Sequence, residues 1–278
     1  MYARPMTVEE AARAMQAPDA LALCGGTDVY PAHAGKALSR PLVDLSRVEG
    51  LRGITQGSGE IRIGAATTWS DIVAADLPPA FDGLKAAARE VGSVQIQNRG
   101  SIAGNLCNAS PAADGVPPLL TLDARVEIAS VTGRRMLPLA AFITGYRKTA
   151  LAPGEIVTAV TVPLPGTGAR SAFVKLGARR YLVISILMAA ALVERDGAGR
   201  IIRAAIAVGA ASPVAQRLPA LEQDLRNLAP GERPSTRVAP QHLAPLAPIG
   251  DVRASADYRL DAAITVIGEA LDRAVGVL

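Results

Sequence analysis

LALCGGTDV (21–29) and RGSIAGNLCNASPAAD (99–114) are the two stretches on which the reading of this chain turns. In the first, a short apolar strand, Leu21-Ala22-Leu23, runs straight into two glycines. Lacking Cβ atoms, Gly25 and Gly26 let the backbone turn its N–H groups toward a phosphate and approach it closely. Thr27 adds a hydroxyl donor. On its own the motif also makes an ordinary tight turn, because glycine pairs mark turns everywhere. A dinucleotide fingerprint of the G-x-G-x-x-G kind requires a third glycine. Its absence here removes the Rossmann reading.

In the second stretch, small residues at 100, 101, 103 and 104 again permit close backbone approach. Ser101, Asn105, Asn108 and Ser110 are short hydrogen-bonding side chains suited to a pyrophosphate or a polyhydroxylated chain. A polar connecting loop has the same composition. The whole of 92–114 lacks clear periodicity and exceeds the length of a neutral connector, which predicts a functional loop.

Outward from these stretches the pattern is mixed. Thr7 with Glu10 fits a capping box opening a helix that runs to about Gln16. Strands are predicted at 41–45, 60–65, 124–130 and 155–162, with helices from Thr68, over 82–91 and over 138–144. PLPGTG (163–168) is the best boundary. Beyond it, a strand at 171–176 precedes two strands, 184–193 and 201–210, joined by a hairpin at Asp196-Gly197-Ala198-Gly199. Residues 213–225 read as helix, the proline-dense 229–250 as loop and 256–275 as a closing helix. The order is α+β, without regular strand–helix alternation.

Composition excludes several classes. Of the 278 residues half are apolar, so there is material for a large core, and 19% charge is too little for a disordered chain. Aromatics at 3% and a net charge of +4, with scattered Lys and Arg, leave no surface for stacking nucleic acid bases. The longest apolar run, 182–193, is too short to span a bilayer, and the N-terminus has no apolar signal core. A soluble, cytoplasmic protein is expected. Cys24 and Cys107 imply no disulfide framework. With His33 and His242 they lack the ligand spacing of an iron–sulfur centre, so any such cluster belongs to another chain.

Taken together and in order, the two glycine loops, GYRKT (145–149) and Phe173-Val174-Lys175 followed by Arg179-Arg180 resemble the FAD-binding subunit of the xanthine dehydrogenase and carbon monoxide dehydrogenase family, over nearly the whole chain. The resemblance implies a two-subdomain FAD-binding fold of the vanillyl-alcohol oxidase (PCMH) type over 1–165, split at about residue 53. A C-terminal α+β domain of sheet and helices would follow over 169–278. It implies FAD, with Cys24, Gly25, Gly26, Thr27, Asp28 and Val29 around the pyrophosphate, helped by Ser101, Ile102 and Gly104. Asn105 and Ser110 would contact phosphates or the ribityl chain, and Asp114 a ribityl or ribose hydroxyl. The Val157 backbone would lie against the flavin ring. Lys175 would sit at its pyrimidine edge, where a cation stabilises the negative charge that accumulates at N1 and O2 on reduction.

The function implied is electron transfer within a molybdenum hydroxylase. A molybdopterin subunit would hydroxylate the substrate, a small subunit with [2Fe–2S] clusters would relay electrons, and FAD here would pass them to NAD, a quinone or oxygen. GYRKT leans toward a purine or other N-heterocycle dehydrogenase. A free-standing flavin oxidase would need a His or Cys flavin anchor and a catalytic base, for which no candidate stands out; the other alternative is a scaffold subunit that has lost FAD. Two departures stand out. Cys24 replaces the alanine common before the glycines, and Arg179-Arg180 is not followed by the acidic pair of the eukaryotic xanthine dehydrogenases.

Overall fold

The computed structural model describes residues 1–57, 59–226 and 228–277. Thr7 and Glu10 form the expected capping box: Thr7 Oγ1 accepts from the Glu10 N–H at 3.2 Å, and the Glu10 carboxylate accepts from the Thr7 N–H. The helix they open, Val8–Ala14, buries Ala11 and Ala12. The chain then enters Leu21–Leu23, which pairs in parallel with Leu42–Asp44; Tyr2–Ala3 pairs in parallel on that strand's other side. The first glycine loop leaves this small sheet at the carboxyl end of its strand, the end at which parallel sheets present ligand loops.

A five-stranded antiparallel sheet follows, in the order Ile54–Gln56, Glu60–Gly64, Ile156–Pro163, Arg125–Ser130, Gly133–Pro138. Ile61, Ile63, Val126, Ile128, Val160 and Val162 are all completely buried in the first core, together with Trp69, Phe81 and Phe142. The edge strand Gly133–Pro138 escapes the sequence pattern because GRRMLP has no apolar alternation. Its arginines point outward and guard the edge, as charges on edge strands do. Ile54–Gln56 at the other edge is equally short of pattern.

The third sheet is antiparallel in the order Ala169–Leu176, Leu187–Arg195, Ile201–Gly209, Gln216–Arg217. Both of its faces are covered, which is why its central strands read as apolar runs without alternation. Leu187, Ala189, Ala191 and Val193 join the core under the long helix Ala256–Ala274, with Ala263, Ile267 and Leu271. Met188 and Ala190 face the opposite way, onto Ala87 of the helix Asp82–Glu90. Ser171 pins this second contact: its hydroxyl donates to Ala80 O at 2.7 Å and accepts from Gly83 N–H at 2.8 Å, fully buried.

Three expectations are corrected. The segment 92–114 is not one loop but carries two short helices, Val94–Gln97 and Ile102–Asn108, capped by Ser93 and Ser101 and too short to show a period. The strand expected from Ile184 begins only at Leu187, after an exposed Leu182-Val183-Ile184 turn in which Leu182 has φ 52°. Within 213–225, Gln216–Arg217 extends the sheet and the helix starts at Pro219, a residue favoured at the first helical position. No helix among the described residues is long and apolar enough to cross a membrane.

Candidate cofactor-binding site

The two glycine segments meet. A Cβ on Gly25 would lie 1.9 Å from the carbonyl oxygen of Arg99, so Gly25 is required by backbone-to-backbone packing of the two loops. The sequence had suggested close approach to a ligand instead. Gly26 sits at φ +72°, in the left-handed region that glycine alone enters without strain. This geometry leaves the backbone N–H groups of Gly25, Gly26, Thr27 and Asp28 without an acceptor among the described residues. Successive unclaimed N–H groups in a turn form a concavity for an anion.

The second segment spends its donors within the protein. Ser101 Oγ accepts from Gly104 N–H at 3.2 Å, capping the helix Ile102–Asn108. The N–H groups of Ile102, Ala103 and Asn105 go to Thr67 O, Ala65 O and Ser101 O. What the second segment offers is side chains. Asn105 lines the cleft, but its Oδ1 is turned away from it, buried beside Gly115 without a partner among the described residues. Asn108 bridges the walls, donating to Asp28 Oδ1 at 2.9 Å and accepting from the Arg147 guanidinium. Arg147 stands at the tip of the hairpin Ile143–Gly145/Lys148–Thr149 with φ 55°, held by its N–H to Ala109 O at 3.0 Å. Ser110 Oγ accepts from Ala112 N–H.

The same cleft contains a buried charge cluster. Lys175 Nζ meets Asp114 Oδ2 at 2.6 Å and donates to Glu90 O at 3.2 Å, while Ser185 Oγ donates to Asp114 Oδ1 at 2.6 Å. Burial pushes the Asp114 carboxyl up, and Lys175 and Ser185 pull against that rise. Leu182, Val183 and Ile184 form an apolar rim, fastened where Arg179 Nε donates to Tyr181 O at 2.9 Å and the same guanidinium reaches Leu182 O. Cys24 and Cys107 are free thiols on this wall, Cys107 exposed and Cys24 partly buried. Burial pushes the Cys24 thiol up, against a hydrogen bond with Ser101.

The cleft encloses about 700 Å³, within the range of roughly 300–1,000 Å³ usual for organic ligands. It brings together Cys24, Gly25, Gly26, Thr27, Asp28, Val29, Ser101, Gly104, Asn105, Ser110, Asp114 and Lys175. Two expected residues lie elsewhere: Ile102 is wholly buried in the core, and Val157 is buried beside the β-bulge that separates it from Ala159. Sequence reasoning missed the roles here of Arg147, Ser185 and the 182–184 rim. Only Arg147 carried a signal, inside GYRKT.

Backbone N–H groups with no acceptor among the described residues and a buried ion pair thus line one cleft. The profile of the FAD binding domain in molybdopterin dehydrogenase matches residues 1–165, and that of the CO dehydrogenase flavoprotein C-terminal domain matches 172–274. The xanthine dehydrogenase FAD-binding subunit of Escherichia coli O157:H7 is 32% identical over 99% of this chain and 95% of that protein. The nicotinate dehydrogenase FAD-subunit of Eubacterium barkeri is 36% identical over 70% and 69%. Among solved structures, quinoline 2-oxidoreductase from Pseudomonas putida 86 superposes with a TM-score of 0.87 at 27% identity, covering 99% of this chain and 97% of that one. The chain belongs to the FAD-binding subunit family of the molybdopterin dehydrogenases, and its cofactor is FAD.

Proposed function

We propose that this chain is the electron-transfer subunit of a molybdenum hydroxylase acting on an N-heterocycle. Residues 1–165 would form the FAD-binding domain and 169–278 a second domain that closes the cleft. The observation that carries this reading is the row of N–H groups from Gly25 to Asp28, unclaimed among the described residues, in the same cleft as the buried Lys175–Asp114 pair.

Each group has a task that its surroundings support. The Gly25–Asp28 backbone binds the pyrophosphate, and the Arg147 guanidinium adds positive charge beside it. Asn105, which lines the cleft, contacts the phosphates or the ribityl chain. The Leu182–Ile184 rim excludes water from the ring system, and Lys175 places its ammonium at the pyrimidine edge. FAD held there supplies two-electron chemistry, linking [2Fe–2S] clusters of a small partner subunit to an acceptor such as NAD, a quinone or oxygen. The hydroxylation itself belongs to a molybdopterin-binding large subunit. The relatives named for xanthine, nicotinate and quinoline support a heterocyclic substrate.

The test is anaerobic. The complex purified from its native host is mixed with a panel of N-heterocycles, and the flavin band is followed. Bleaching by one of them, reversed by NAD, quinone or oxygen, supports the proposal. Turnover to the acceptor with an unchanging flavin band overturns it.

A further inference from the structure

We infer that Asp114 and Ser185 are positioning residues that set how much of the Lys175 charge reaches a flavin in the cleft; the inference rests on the FAD reading above. Both carboxylate oxygens of Asp114 already have a donor, Lys175 Nζ on one and Ser185 Oγ on the other, each at 2.6 Å. The Lys175 and Asp114 side chains are only 6% and 8% exposed, so solvent does little to screen them.

An ammonium has three N–H bonds. Two of those on Lys175 are taken, by Asp114 and by Glu90 O, which leaves one on a residue that lines the cleft. A flavin at that point therefore meets a neutral ion pair with its positive end forward, and not a free cation. Ser185 decides how far the pair is polarised, because its hydroxyl draws negative charge toward the oxygen of Asp114 remote from Lys175.

Ser185 is itself held from behind. The next residue, Ile186, gives its carbonyl to the buried Arg259 guanidinium, which also donates to Ala210 O at 2.8 Å and to Asp251 Oδ1 at 2.7 Å. Its only side-chain hydrogen bond among the described residues is the one to Asp114.

The distinguishing observable is the flavin reduction potential. A group that holds the oxidised and reduced cofactor equally well changes the affinity and leaves the potential where it was; only a differential interaction moves it. Reduction adds negative charge, so the signs follow. Lys175→Met removes the cation and lowers the potential. Asp114→Asn leaves the Lys175 cation unbalanced and raises it. Ser185→Ala uncovers the Asp114 charge and lowers it by less than Lys175→Met does. Ser185→Thr keeps the hydroxyl and stays at the wild-type value.

The experiment is a dye-coupled potentiometric titration of the holo complex and these four variants, with excess FAD keeping each loaded. A tenfold change in the ratio of the two affinities appears as about 30 mV for a two-electron couple, and a change of about that size is expected for Ser185→Ala. Opposite signs for Asp114→Asn and Lys175→Met, with Ser185→Thr restoring what Ser185→Ala loses, is the predicted pattern. Equal potentials for wild type and Ser185→Ala, or a fall in Asp114→Asn, overturn the inference. A wild-type complex that takes up no FAD refutes the underlying reading instead, and is recognised because there is no flavin potential to measure.

Discussion

Lys175 and Asp114 are bound to each other at 2.6 Å inside the protein, the one from the strand Ala169–Leu176 and the other from the end of the second glycine segment. Two groups that the sequence assigns to different parts of the cofactor thus form one unit, and it ties a strand of the third sheet to the second glycine segment. Breaking such a pair by removing one partner strands a buried charge, at a cost of about 3–5 kcal/mol.

Lys175→Met should therefore lower the Tm of the FAD-free chain by roughly 10 °C, taking about 2–4 °C per kcal/mol for a chain of this size. Adding Asp114→Leu should recover most of that loss, because two apolar side chains leave no charge behind. Calorimetry of the single and double variants checks this; additive losses would contradict it.

Gly25→Ala tests the contact between the two glycine loops. The new methyl group would overlap the Arg99 carbonyl oxygen, which is backbone and cannot rotate away. The loops must part, costing roughly 1–3 kcal/mol as overpacked sites do, and FAD affinity should fall at least about tenfold, since the donors at 25–28 move with the loop. Gly197→Ala, on a turn with nothing within 4 Å of the added carbon, is the matched control and should change neither. Flavin fluorescence quenching and a thermal melt read both quantities.

The contrast between Gly25 and Ser185 shows how far the sequence was legible. Glycines and small polar residues in a non-periodic stretch declared a loop-lined site, and the cleft contains all but two of the expected residues. At Gly25 the sequence predicts close approach to a ligand, and the structure adds a close approach to the Arg99 backbone, a partner brought up only by tertiary folding. Ile102 is wholly buried, at the start of the helix that Ser101 caps. Ser185 had no signal at all: it sits in an apolar run that reads as one strand, and its bond to Asp114 spans 71 positions. The edge strand Gly133–Pro138 was invisible for the related reason that edges are specified by what they exclude.

Acid should weaken the fold through Glu155. The Arg135 guanidinium, bonded at 2.7 and 2.6 Å, holds its carboxyl below the ordinary value of 4.5. Because the folded value is depressed, the unfolded chain binds protons first as pH falls. The stabilisation is complete above the unfolded value and is lost as pH drops through the folded one. Melting temperatures measured from neutral pH down to about pH 3 should decline below about 4.5, and Glu155→Gln should decline less steeply. Parallel curves would contradict the assignment.

Cys107 offers a footprint of the cofactor. It is exposed in the cleft of the FAD-free chain, but its surroundings push the thiol up to about 12, so iodoacetamide should modify it only slowly at alkaline pH, and FAD should shield it further. With FAD at a hundred times its Kd, mass action slows alkylation by roughly 100-fold. Peptide mass spectrometry separates Cys107 from the partly buried Cys24. Equal rates with and without saturating FAD would place the cofactor elsewhere.

The most direct test of the central claim is the flavin content of the complex purified from its native host, read from its absorption spectrum and from the flavin released on denaturation. One FAD for each copy of this chain, travelling with a molybdenum subunit and an iron–sulfur subunit, is the predicted result. A flavin-free complex whose copy of this chain also takes up no added FAD would contradict it, and would leave the cleft between the two glycine loops without the cofactor on which the whole account depends.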